Sequence, residues 1–353
     1  MSNFIELFKK IHIPFFSSFS IYFDLGTSTT RIAIKDKGIV LREPTYLGYN
    51  SRIREYIFFG KEAKTILGKT PEFIQISRPM VNGILSDFDA QVALIDFFVK
   101  KSVYPYFSKN KLLKPPLRGV SIIPPIATEI EYKAVEEALE KAGCSTVYLI
   151  EKPLATTAGC GFDIFSHQPH FVVDLGGGLF ELSIVSGGGI VVQKTLKNAG
   201  DHMNKLIANY AYLKHGIILG EKSCEELKTN LLQFTGEEKS ATVRGKSLET
   251  GLPKSIRMKS LDVKEALLTS FNQILDAVKE LIEVSPPEIA DEIFKNGVTF
   301  TGMMAATPGI NEFFAQELKI PVHIANNYAD ATIHGLMILD KSPENFFKLF
   351  GYK

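Results

Sequence analysis

Asp24 and Asp174 each end an apolar run and open the same kind of turn. Ile21-Tyr-Phe-Asp-Leu-Gly-Thr-Ser-Thr-Thr-Arg-Ile-Ala-Ile34 returns as Phe171-Val-Val-Asp-Leu-Gly-Gly-Gly-Leu-Phe-Glu-Leu-Ser-Ile184, with aspartate, leucine and glycine in one register. Small residues follow each aspartate: Gly26, Thr27, Ser28 and Thr29 in the first copy, Gly176, Gly177 and Gly178 in the second. Backbone N–H groups and hydroxyls on such tips approach an anion closely, which is the chemistry of a phosphate cradle. A carboxylate does not hold phosphate directly. Asp24 and Asp174 make sense beside a hard divalent cation such as magnesium, whose waters bridge carboxylate and phosphate oxygens. One such turn reads most simply as an ordinary hairpin, whereas two in register read as opposite walls of one phosphate cleft.

Positioning two walls requires two strand–turn–strand units, and the rest of the chain supplies their supports. Gly38 to Pro44, Gly119 to Ile123, Val147 to Ile150 and Val298 to Gly302 read as strands. Residues 51–89 read as a small insertion with a helix at Lys61 to Leu67. Helices are predicted at Gln91 to Val99, Pro153 to Gly161, Asp201 to His215, Lys222 to Phe234, Pro308 to Leu318 and Asp330 to Asp340. Thr128 to Gly143 is another, opened by the Thr128-x-x-Glu131 box. Leu261 to Val284 carries helical apolar spacing until Pro286-Pro287 breaks it, and a short ribbon is predicted around Thr242 to Gly245. Alternating strands and helices in both halves give two α/β domains joined by a hinge.

Composition narrows the class. At 353 residues the chain exceeds one ordinary hydrophobic core. A formal charge of +1 gives no electrostatic reason for a nucleic-acid partner. Cys144, Cys160 and Cys224 lack metal-ligand spacing and are odd in number, which favours a reduced, cytosolic setting. No apolar run reaches the roughly 18 to 20 residues that span a bilayer. The first 20 residues nevertheless place Phe4, Ile5, Leu7, Phe8 and Ile11 near one helical face, against Asn3, Glu6, Lys9 and Lys10, with Phe15, Phe16 and Phe19 beyond Pro14. This segment is a candidate interfacial membrane anchor, the alternative being one that packs on the protein's own surface or stays disordered. It has no small-residue cleavage site before Ile21 and so does not read as a cleaved signal.

Several ordered blocks resemble one family. Besides the Asp24 and Asp174 turns they are Gly38 to Pro44, Lys69-Thr-Pro71, Arg78-Pro-Met80 with Asp87-Phe88, Glu151-Lys-Pro153, Gly200-Asp201, Gly251-Leu-Pro253 and Pro286-Pro-Glu288. From about Ile21 to about Asp340 the chain is similar to MreB, the bacterial actin homologue. The resemblance implies an actin-like (ribonuclease H-like) duplicated α/β fold, with two domains around a nucleotide cleft and a smaller subdomain inserted in each. The first domain would take 21–159 and 331–347, with 51–89 inserted, and the second 160–330, with 198–260 inserted. ATP and magnesium are the implied cofactors, Asp24 and Asp174 reaching the metal through water. Glu225 and Lys228 match the family's ribose and base contacts, and Gly302 with Met303 its adenosine turn. The implied partners are further copies of the chain in filaments, an active relative as copolymer, and the inner face of the cytoplasmic membrane. Contact with that membrane would use residues 1–20 and a loop holding Tyr104, Tyr106 and Phe107.

The departures from the family pattern bear on activity. Glu-Glu-Pro in relatives is Glu151-Lys152-Pro153 here, so Lys152 replaces the glutamate expected to orient the attacking water, leaving Glu151 as a candidate substitute. An ammonium has no acceptor for a proton. The two hydroxyl residues expected after Gly178 are Leu179 and Phe180. Thr-Gly-Gly-Gly in the adenosine turn is Thr301-Gly-Met-Met304, where the methionines either add bulk and remove access to positive φ or turn into the core. In the last helix His334-Gly-Leu336 replaces Gly-Ala-Gly, which predicts a stiffened or re-spaced hinge crossing. The leading reading is a filament-forming scaffold with weak or absent ATPase activity. An ATPase with unusual catalytic residues is the second. A small-molecule kinase of the same superfold is the third, disfavoured because the matching blocks lie outside the cleft.

Overall fold

The computed structural model describes residues 19–106 and 116–350. The candidate anchor therefore lies outside the described residues except for Phe19 and Ser20, as does Phe107. Phe19 does not extend the anchor. It begins the first strand and pairs in parallel with Leu117.

Two five-stranded sheets built on one plan organise the chain. The first runs in the order Cys144–Glu151, Leu117–Ile123, Phe19–Leu25, Thr29–Ile34, Gly38–Pro44. The second runs Val322–Ile324, Val298–Thr301, His170–Leu175, Phe180–Ser186, Gly189–Leu196. In each, an antiparallel three-strand meander joins two further strands in parallel through its first strand. The duplication visible in the Asp-Leu-Gly turns thus extends to strand order.

Strands buried on both faces explain the continuous apolar runs before each aspartate. Alternation sends Ile21 and Phe23 into one core with Phe98 and Leu139, and Tyr22 into another with Leu154 and Leu336. Helices Phe88–Ser102 and Glu129–Lys141 cover the first face; Lys152–Gly159 and Ala331–Leu339 cover the second. In the second sheet Phe171, Val173, Leu182 and Ile184 pack with Phe271, Ile274 and Phe314. Each such side chain contributes about 1.5–3 kcal/mol on burial. The tips of the hairpins are thereby fixed by the strands behind them.

Local signals mostly place the elements. Thr128 caps its helix through a reciprocal box with Glu131. The ribbon is longer than expected, Ser240–Ser247 against Pro253–Lys259. Pro286-Pro287 does follow the end of the helix Ser260–Glu283, but it also starts another, Pro287–Asn296. Proline fits there because the first helical N–H needs no partner within the helix. Tyr104–Tyr106 is a short 3-10 turn with Tyr106 exposed. Among the described residues no helix is long and apolar enough to cross a membrane.

The helix crossing is close, and the bulk of His334 and Leu336 does not hold it apart. A Cβ added to Gly159 would sit 1.7 Å from the Ala331 carbonyl oxygen, and one added to Gly335 would sit 1.6 Å from that of Ala155. The two helices touch backbone to backbone through these glycines. Leu336 is buried in the core beside them, while His334 Nδ1 lies 3.0 Å from the Asn327 side-chain nitrogen.

Candidate functional site

A cavity of about 460 Å³ lies between the two hairpins. Fourteen of the fifteen residues singled out in the sequence line it: Asp24, Gly26, Thr27, Ser28, Thr29, Lys152, Asp174, Gly176, Gly177, Gly178, Glu225, Lys228, Gly302 and Met303. The exception is Glu151, which ends its strand with an exposed side chain outside the cavity. Lys152, the next residue, opens the following helix and does line the cavity.

The tips of the hairpins face one another at close range. A Cβ on Gly177 would come within 2.0 Å of Ser28 Oγ, and one on Gly178 within 2.2 Å of Thr27 Oγ1. Any larger residue at these two positions would have to displace Ser28 or Thr27. Thr27 Oγ1 also accepts a hydrogen bond of 2.8 Å from the backbone N–H of Gly83, which ties the first tip to the Met80–Leu85 hairpin.

Charges follow the strand register. Asp24 lies opposite Arg31, and Arg31 Nη1 donates to Asp24 Oδ2 at 3.0 Å. Arg31 Nε reaches Asp330 at 3.0 Å, and Arg42 reaches the same carboxylate at 2.7 Å. In the second hairpin the residue opposite Asp174 is Glu181, itself an acid. Lys152, from the start of the neighbouring helix, places Nζ 2.5 Å from Asp174 Oδ2 and in contact with Glu181 Oε2. Burial alone would lower the Lys152 pKa; the charges of Asp174 and Glu181 outweigh it and hold the ammonium protonated. Glu181 Oε1 has no hydrogen-bond partner. Sequence reasoning missed Arg31, Asp330 and Glu181, although Arg31 and Glu181 stand at matching places in the repeat.

At the position of the expected glutamate the cavity wall holds an ammonium, and the two positions after Gly178 hold no hydroxyl. Lys152 donates to two acids and accepts from nothing. Leu179 is buried, and its side chain reaches across the cleft: a Cβ on Gly83 would meet Leu179 Cδ1 at 2.5 Å. Phe180 points into the core of the second sheet.

The magnesium expected at Asp24 and Asp174 is not matched by these residues. Each carboxylate already faces a cation of the chain, Arg31 in one case and Lys152 in the other. A divalent ion brought between them would meet a guanidinium and an ammonium, which repel it.

On the nucleoside side, Gly302 has φ 86°, and a Cβ there would lie 2.6 Å from Asp174 Oδ1. Its neighbours divide the two expectations between them. Met304 is buried, and Met303 remains exposed on the cavity wall. Neither methionine has positive φ, so the turn is not strained by their Cβ atoms. Lys228 donates to the Gly200 carbonyl at 2.6 Å, and burial, against the pull of Asp201 and Glu225, brings its pKa down to about 8. Glu225 pairs with Lys64 at 2.8 Å, and Arg78 pairs with Asp201 at 2.6 Å and Glu221 at 3.3 Å. These pairs latch Lys64 of the helix Lys61–Ile66, and Arg78, to helices Gly200–His215 and Glu221–Leu231. Only the motif residues Arg78 and Asp201 hinted at them in the sequence.

The family model described as MreB/Mbl protein matches residues 18–347. The cell shape-determining protein Mbl of Bacillus subtilis (strain 168) is 34% identical over 328 residues, covering 91% of this chain and 96% of the relative. The cell shape-determining protein MreB of Pasteurella multocida is 33% identical over 329 residues, covering 91% and 92%. Among solved structures, MreB 5 of Spiroplasma citri bound to AMPPNP matches with a TM-score of 0.87 at 29% identity, over 95% of this chain and 99% of that one. The MamK double helical filament matches with a TM-score of 0.77 at 18% identity, over 92% and 99%, a likeness of fold.

Proposed function

The chain belongs to the MreB/Mbl family and has its actin-like fold, and from that premise we propose that it is a cytoskeletal subunit with an impaired ATPase. It assembles with further copies of itself, or with an active relative, into filaments that help set bacterial cell shape. The name of the Bacillus relative supports the cell-shape role. Filaments lie at the inner face of the cytoplasmic membrane, through residues 1–20 and the Tyr104, Tyr106 and Phe107 region. An adenine nucleotide occupies the cleft, a reading supported by MreB 5 of Spiroplasma citri, which binds AMPPNP and ADP. Its phosphates lie on Gly26 to Thr29 and Gly176 to Gly178, and its nucleoside lies near Glu225, Lys228, Gly302 and Met303.

One observation carries the impaired-hydrolysis reading: Lys152 is pinned between Asp174 and Glu181, where it can neither accept a proton nor orient water. Losing such help typically costs about 10² to 10⁴ in rate. The test combines phosphate release from purified protein with electron microscopy on lipid, in ATP, in ADP and without nucleotide. Filaments with little phosphate release support the scaffold. Phosphate release at the rate of ordinary relatives, or no filaments in any condition, overturns it.

A further inference from the structure

Each aspartate that would gather a hydrated divalent cation to a polyphosphate already faces a cation of the chain itself. Arg31 Nη1 stands 3.0 Å from Asp24 Oδ2, and Lys152 Nζ stands 2.5 Å from Asp174 Oδ2. The Lys152 side chain is only 15% exposed, yet it lines the cavity beside the turn Gly176 to Gly178. An ammonium is a compact charge with three donors. Two are directed at Asp174 and Glu181, which leaves the third for a phosphate oxygen.

We infer that Lys152 is a built-in cation, so that the cleft takes an adenine nucleotide as its free polyphosphate anion with no obligatory divalent metal. This rests on the nucleotide reading above. Where carboxylates face a polyphosphate directly, removing the metal sets like charges against each other and expels the ligand. Here Arg31 and Lys152 stay in place when the metal is removed. Lysine is a well-suited partner for phosphate as a point charge, and the backbone N–H groups of Gly177 and Gly178 add to the anion cradle, that of Gly176 being bonded to the Leu179 carbonyl. Such a site gives up metal-assisted chemistry and keeps nucleotide as a structural ligand, which agrees with the missing water-aligning groups.

The test is equilibrium binding of a fluorescent ATP analogue to the full chain, with unlabelled ATP as competitor, in excess magnesium and in excess EDTA. Wild-type Kd is expected to differ by less than about threefold between the two. In Lys152→Gln the Kd in EDTA is expected to exceed that in magnesium by at least about tenfold, equivalent to about 1.4 kcal/mol. Lys152→Arg keeps the charge and is expected to retain binding in EDTA, which guards against a glutamine variant that fails to fold. Wild-type binding that disappears in EDTA and returns with magnesium overturns the inference alone. Equal metal-free binding by wild type and a folded Lys152→Gln also overturns it. No binding in either condition overturns the nucleotide reading, and this inference with it.

Discussion

Arg31 and Glu181 hold the same register position in the two hairpins, Arg31 opposite Asp24 and Glu181 opposite Asp174. The first hairpin carries its own countercharge. The second instead places two acids side by side, with the Glu181 side chain 4% exposed. Lys152 supplies the missing cation from an adjacent helix, so the lysine in the Glu-Lys-Pro motif belongs to the local charge balance.

Lys152→Met should destabilise the fold by about 3–5 kcal/mol, because it leaves buried carboxylates without a cation. Adding Glu181→Leu should recover part of that loss. Urea denaturation of the wild type, both single variants and the double variant gives the coupling. A double variant whose loss equals the sum of the single losses would show that the pair is not coupled.

Restoring groups that can align water tests the hydrolysis argument from the other side. Lys152→Glu with Leu179→Thr, both made in a Glu181→Leu background so that fewer buried acids are left without Lys152, should raise phosphate release, in magnesium, by at least about tenfold over wild type. Phe180 is left in place because it is fully buried, and truncating such a ring costs about 3–5 kcal/mol. An unchanged rate in a folded triple variant would locate the defect elsewhere.

Much of this site was legible because backbone needs impose residue types. Gly177 and Gly178 are readable as a close approach, since any side chain there strikes Ser28 or Thr27. Asp24 and Asp174 are readable because a buried acid at a strand end needs a reason. Glu181 was not, since a glutamate within an alternating strand reads as solvent-facing until the helix covering that face is known. Nor did the crossing follow from bulk: His334 and Leu336 are large, but Gly159 and Gly335 make the contact. Periodicity places a helix more reliably than it tells which turn of that helix touches its neighbour.

Gly335→Ala should therefore be severe although it adds one methyl group. Its Cβ would lie 1.6 Å from a backbone carbonyl oxygen, and backbone does not yield as a flexible side chain does. The helices must separate, opening the packing around Leu154 and Leu336. Overpacking of this kind costs at least about 1–3 kcal/mol. Thermal denaturation should show a lowered Tm or no folded protein, whereas His334→Ala should change the Tm little. Comparable Tm losses from both variants would place the contact at His334 after all.

Asp330 gives a prediction that depends on pH. It receives Arg31 at 3.0 Å and Arg42 at 2.7 Å, joining the first hairpin to the start of the Ala331–Leu339 helix. Burial alone would raise its pKa, but the hydrogen bond from Arg42 and the charges of Arg31 and Arg42 win and hold it below the ordinary 3.8. A depressed folded pKa means that the unfolded chain binds the proton more readily. The stabilisation is then full above pH 3.8 and is lost as pH falls through the folded value. Hydrogen bonds to charged groups contribute about 1.5–3 kcal/mol, so Asp330→Asn should be less stable than wild type by roughly that amount at neutral pH. The gap should narrow as pH drops below 3.8. Other carboxylates titrate in both proteins, so their effects largely cancel in the difference between the two urea curves. A gap that stays constant from neutral to acidic pH would mean that the Asp330 carboxylate contributes through shape rather than charge.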